Sequence, residues 1–113
     1  MPFWRQQVIQ PALDAGVEAE IREQQELIRS DPANPLPHFA LGTLAHLRGQ
    51  TEAAIYHFKK AIELDASYAA PHSSLGRIYA VLGDYTRAWE HAREAAQRGD
   101  NSVLRQLERY SQP

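Results

Sequence analysis

The side chains with the most obvious chemical capacity in this 113-residue chain are its five histidines, His38, His46, His57, His72 and His91. Imidazole ligates transition metals and moves protons near neutral pH, so a metal centre and acid–base catalysis are the two chemistries to weigh. The spacing favours neither. His38 and His72 stand 34 positions apart, and so do His57 and His91. If 34 residues is a structural repeat, equivalent histidines lie roughly 8–10 Å apart, one helix-packing distance. Zinc needs its nitrogens about 2.0–2.1 Å from the ion. These four histidines therefore read as repeat packing or solvated surface, and His46 has no carboxylate or histidine partner at helical spacing. There is no cysteine, hence no disulfide framework and no zinc–thiolate site. Ser73-Ser74 lacks the turn that exposes a catalytic serine, and no H-E-x-x-H or glycine-rich phosphate loop is present. Lys59-Lys60 with Glu63 is an ordinary solvated helix face. The reading is a non-enzyme with no catalytic residue, no metal and no cofactor.

The histidine spacing belongs to a wider pattern. From Pro37 to Ala61 the chain matches itself at Pro71 to Ala95, with eight identical pairs: Pro37/Pro71, His38/His72, Leu41/Leu75, Gly42/Gly76, Gly49/Gly83, Ala54/Ala88, His57/His91 and Ala61/Ala95. A fixed period of this length is the mark of a repeat architecture.

Helical periodicity sets the elements. Leu13, Val17, Ile21, Leu27 and Ile28 recur at helical steps, which predicts a helix over about 12–29, with a break expected near Gly16 and Pro11 placed at its start. Phe3, Trp4, Val8 and Ile9 could share one side of a short preceding segment. Prolines at 35 and 37 suit a first helical turn, opening a helix that stops at Gly49, a glycine suited to the left-handed residue after a helix end. A second helix is expected to Leu64, a third over about 68–82 stopping at Gly83, and a fourth capped by Asp84 and ending before Gly99. Asn101 or Ser102 is expected to cap a last helix with Val103, Leu104, Leu107 and Tyr110 on its apolar side. No sustained alternation marks a strand. The net charge of -2, from 12 basic and 14 acidic residues, lacks the basic footprint of a nucleic-acid binder. No apolar run approaches the ~20 residues of a membrane span, and no secretory signal opens the chain, so a cytoplasmic location is the default.

On these residues the chain resembles the tetratricopeptide repeat family, whose units are 34-residue helix-turn-helix pairs. Residues 35–68 supply His38, Leu41, Gly42, Ala45, Gly49, Ala54, Phe58 and Ala61 at the family's positions. Residues 69–102 supply His72, Leu75, Gly76, Tyr79, Gly83, Ala88, Ala92 and Ala95. Ala66 and Asp100 stand where the family closes on proline. In the same register 1–34 resembles a degenerate first repeat, with Trp4 and Pro32 in place but Gln7-Val8, Pro11, Gly16 and Glu20 departing from the pattern. Residues 103–113 resemble the capping helix that such arrays need. The resemblance implies one all-α domain over 1–113, a solenoid of about three repeats.

The resemblance also implies a function. The family binds an extended peptide or a helix on the concave face lined by the first helix of each repeat. Carried over by position, that groove holds Leu36, Phe39, Thr43, His46 and Leu47, then Ala70, Ser73, Arg77, Ala80 and Val81, then Leu104 and Leu107. Phe39, Leu47 and Val81 would supply burial, and Arg77 would take a carboxylate. The carboxylate clamp that some members use for chaperone tails needs Lys and Asn where this chain has Phe39, Thr43 and Ser74. The expected role is a scaffold or adaptor with a protein or peptide partner. The rival from another class is self-association, a homodimer formed through the N-terminal segment.

Overall fold

The computed structural model describes the backbone of residues 2–110 and the side chains of residues 15–109. Six helices follow one another: α1 (Pro2–Ser30), α2 (Leu36–Leu47), α3 (Thr51–Leu64), α4 (Ala69–Val81), α5 (Tyr85–Gln97) and α6 (Ser102–Tyr110). There is no strand among the described residues. The chain is an all-α helical repeat. Helices α2 and α3 form one hairpin and α4 and α5 the next, each helix packing chiefly on its neighbours in sequence, with α6 lying against both α5 and α4.

Glycine ends three of the helices, and two of these glycines, Gly49 and Gly83, stand 34 residues apart. Gly49, Gly83 and Gly99 have φ of 76°, 81° and 102°, values that only glycine takes without strain. In each case the glycine N–H and the next residue's N–H fold back on the helix end. Gly49 donates to His46 O and Gln50 to Ala45 O; Gly83 and Asp84 donate to Ala80 and Tyr79; Gly99 and Asp100 donate to Ala96 and Ala95. This satisfies carbonyls that the helix leaves open and sets the angle of the next helix. Asp84 caps α5 as expected, its carboxylate accepting from the Arg87 N–H at 3.2 Å. The cap of α6 differs from expectation. The carboxylate of Asp100, not the side chain of Asn101 or Ser102, accepts from the Ser102 N–H at 3.0 Å.

A single core runs from α2 to α6. Ala45, Ala54, Phe58, Leu75, Ile78, Tyr79, Ala88, Trp89, Ala92, Val103 and Leu107 form one buried cluster, with Phe39, Ile55, Ile62, Ala80 and Leu104 packed against it. Small residues on one helix face large ones on the next: Ala54, Ala61, Ala88, Ala92 and Ala95 have no measurable exposure. Neither hairpin could bury its stripe alone, so neighbours share it.

The N-terminal region corrects the expected boundaries. α1 is one uninterrupted helix from Pro2 to Ser30, with no break at Gly16 and no new start at Pro11. Proline in a helix interior loses one hydrogen bond and costs about 3 kcal/mol, and Gly16 costs about 1 kcal/mol. Gln6, Gln7, Gln10, Ala12 and Leu13 around Pro11 are good helix formers, and beyond Gly16 half-buried Val17, Ile21 and Ile28 anchor the helix to α2. Arg48 at the end of α2 also reaches Glu18 at 2.9 Å. Residues 1–34 thus contribute one long helix to the array rather than a hairpin. The expectation of self-association through Phe3, Trp4, Val8 and Ile9 concerns side chains outside the described residues.

Candidate functional site

Two clefts open along the first helices of the two hairpins and the last helix, one between α2 and α4 and one between α4 and α6. The first, about 130 Å³, is lined by Thr43 and His46 of α2, Ser74, Arg77 and Ile78 of α4, and Phe58 beneath. The second, about 310 Å³, is lined by Arg77, Ala80 and Val81 of α4 and Val103, Gln106 and Leu107 of α6. The first cleft is well below, and the second at the bottom of, the roughly 300–1,000 Å³ of small-molecule sites, so each suits a single side chain of a longer ligand. Arg77 lines both and makes them one groove. Its guanidinium touches Ser102 Oγ at 3.2 Å, which leaves most of its donors available. No acidic residue lines either cleft, but Asp100 shares the Ser102 hydroxyl with Arg77 and feels its charge.

The structure thus brings Thr43, His46, Arg77, Ala80, Val81 and Leu107 together. Among the residues expected in the groove, Val81 is 86% accessible and Leu47 76%, with Leu36 also open at 58%. Leu36 and Leu47 lie at the two ends of α2 and line neither cleft. Four further residues differ from their expected places. The Phe39 ring is half-buried between Phe58 and Tyr68, with centroids 5.5 and 5.4 Å away, because it fills the junction between the hairpins. Ser73 is buried, its hydroxyl donating to Asp100 Oδ2 at 2.5 Å, so it ties α4 to the α6 cap and does not face a ligand. Leu104 packs against the core and Leu107 is inside it, so only the edge of Leu107 floors the second cleft.

The histidines hold what the sequence reading missed. Equivalence between repeats relates His38 to His72, but His38 meets His57 of its own hairpin, Nδ1 to Nδ1 at 3.5 Å. His72 meets His91 at 3.1 Å in the same way. Both pairs are 19 residues apart in sequence, and that repeated interval was the available signal. No group of three or more His, Asp or Glu side chains among the described residues is placed to hold a metal ion.

The comparisons with known proteins bear on the middle of the chain. Residues 44–83, from the end of α2 to the end of α4, match the family model described as TPR repeat. No curated protein matches the chain in sequence. No helix among the described residues is long and apolar enough to cross a membrane.

Proposed function

We propose that this chain, which carries tetratricopeptide repeats, is a non-catalytic scaffold or adaptor that binds an extended peptide or a helix along the α2–α4–α6 groove. Repeats of this family generally mediate protein–protein contacts. The observation that carries the reading is the pairing of exposed Val81 with Arg77 in a groove lined by no carboxylate. A ligand with an apolar side chain for the second cleft and a carboxylate for Arg77 satisfies both. The guanidinium fixes register through paired donors, while burial of the apolar anchor supplies affinity. Neither process requires a nucleophile, a general base or a cofactor.

Selection of peptides from a display library on the full chain tests the reading. Selected sequences are expected to combine an acidic group with an apolar residue, and to lose affinity when Arg77 is changed to Glu. Selection of peptides whose binding depends on exposed Tyr56 of α3, and not on Arg77 or Val81, would place the ligand on the other face.

A further inference from the structure

The groove uses only His46 of the five histidines. The other four form two contacts of the same design, one in each hairpin. The His38 and His57 rings lie 5.7 Å apart with a 33° tilt, and the His72 and His91 rings 5.3 Å apart with a 35° tilt. His38 and His72 are 8% and 6% exposed, and their partners are half-buried. A contact between two ring nitrogens holds one proton: one ring donates and the other accepts through its lone pair. When both rings are protonated, two N–H groups face each other at 3.1–3.5 Å and two positive charges share the gap. His72 adds a second obstacle. Its Nε2 is buried with no partner among the described residues, so the N–H that an imidazolium must carry there lacks an acceptor.

The groups around each pair offset the charge only in part: Glu94 favours protonation of His72, and Glu90 and Glu94 that of His91, but burial outweighs them. Lys60 of α3 faces His38, and His57 has His38 across from it and the edge of Tyr56 beside it. Arg98 and Glu94 lie near His72. His91 stacks on Tyr79 of α4, 5.6 Å between centroids, with Lys59 of α3 and Arg87, Glu90 and Glu94 of α5 around it. Burial is the main influence lowering the affinity of all four imidazoles for protons, and His72 is brought down to about 4. A base depressed in this way contributes stability fully above its unfolded value, about 6.5. That stability is lost as the pH falls from there towards the folded value.

We propose that the two interhelical histidine pairs are proton-operated latches, one per hairpin, that hold the repeat array closed at neutral pH and loosen it on acidification below about pH 6. The device is local to each hairpin, and its recurrence with the repeat places a latch at the same height in both.

Thermal melts of the full chain at pH 7.5 and 5.0, at constant ionic strength, test it. The Tm is expected to fall by roughly 5–10 °C on acidification. In the double variant His57→Gln/His91→Gln, which keeps a donor in each pair but cannot build a second charge, that fall is expected to shrink by at least half. An equal fall in both proteins would overturn the latch. A histidine-ring NMR titration of the unaltered chain gives a second measurement that no unfolded variant can spoil. His72 is expected to stay neutral well below pH 6.5 and the other three rings to titrate below it; titration of all four rings near the ordinary value of about 6.5 would equally overturn it.

Discussion

The ring of Phe58 fills the space in front of the bare α-carbon of Gly42: a β-carbon there would stand 2.7 Å from it. Phe58 is itself 2% exposed and cannot retreat without displacing its neighbours. Gly42→Ala is therefore expected to destabilise the chain by about 1–3 kcal/mol, despite the helical advantage of alanine of about 1 kcal/mol. At Gly76 the nearest atom is a methyl of Val103 at 3.1 Å, with the backbone of Ala88 and Ala92 at 3.5 and 3.6 Å. Alanine there should cost less than at Gly42. Leucine, which must push into that backbone, should cost a few kcal/mol. Urea unfolding midpoints check the order, and a Gly42→Ala midpoint at or above that of the parent chain would contradict it.

Asp100 joins three elements. It accepts from Ser73 of α4, from the Ser102 hydroxyl at 2.7 Å and from the Ser102 N–H. The Ser73 hydrogen bond is the largest influence, followed by those from Ser102, and together they hold the carboxyl down at about 2. A depressed carboxylate contributes stability that is present above its unfolded value, about 3.9, and is lost as the pH falls towards 2. Asp100→Asn is expected to lower stability at pH 7 by about 1 kcal/mol, the usual cost of losing a cap, and to flatten the loss of stability between pH 4 and about 2. Chemical denaturation across that range reads both. Unchanged stability at pH 7 would mean that α6 docks without its cap.

Much of the fold was legible because its signals are local. Gly49, Gly83 and Gly99 mark helix ends through a backbone conformation, and Asp84 marks a helix start through its own side chain. The 34-residue period then dictated the hairpins. What was not legible depends on contacts across helices or on a balance of costs. Pro11 and Gly16 predict an interruption by propensity, yet α1 continues because tertiary packing of Val17, Ile21 and Ile28 outweighs a local preference. The groove was legible only as a set of positions. Which of those side chains turn outward, as Val81 does, or inward, as Ser73 and Leu107 do, depends on how α4 and α6 rotate against each other. The histidine pairs needed the hairpin register, which equivalence between repeats does not provide.

Trp89 offers a test of the core. Its ring is 5% exposed and lies under the Arg93 guanidinium at 5.3 Å, while its Nε1 is buried without a partner among the described residues. A buried donor without an acceptor carries a desolvation cost of about 1–3 kcal/mol. Trp89→Phe removes that donor along with part of the ring, so the two effects oppose. The expected net change is within about 1 kcal/mol, against about 3–5 kcal/mol for Trp89→Ala. A phenylalanine variant as damaged as the alanine variant in thermal melts would mean that the indole N–H is satisfied.

The groove reading turns first on a residue whose removal should leave the fold alone. Val81 is 86% exposed, so Val81→Ser gives up little burial within the chain and should leave the Tm unchanged. Phe39→Ala would not separate binding from folding, because its ring packs on Phe58 and Tyr68. With a library-selected peptide, Val81→Ser is expected to weaken binding by more than about 1 kcal/mol, the usual mark of an interface anchor. Arg77→Glu should weaken acidic peptides by a similar amount or more, since it removes the paired donors and adds a like charge. It should affect neutralised analogues of the same peptides far less. Raising the salt concentration should reduce the Arg77 effect more than the Val81 effect, because an exposed ion pair is screened while apolar burial is not. Fluorescence anisotropy at two salt concentrations separates the two contributions. A Val81→Ser chain that binds every selected peptide as tightly as the parent would show that the second cleft is not where the apolar anchor sits.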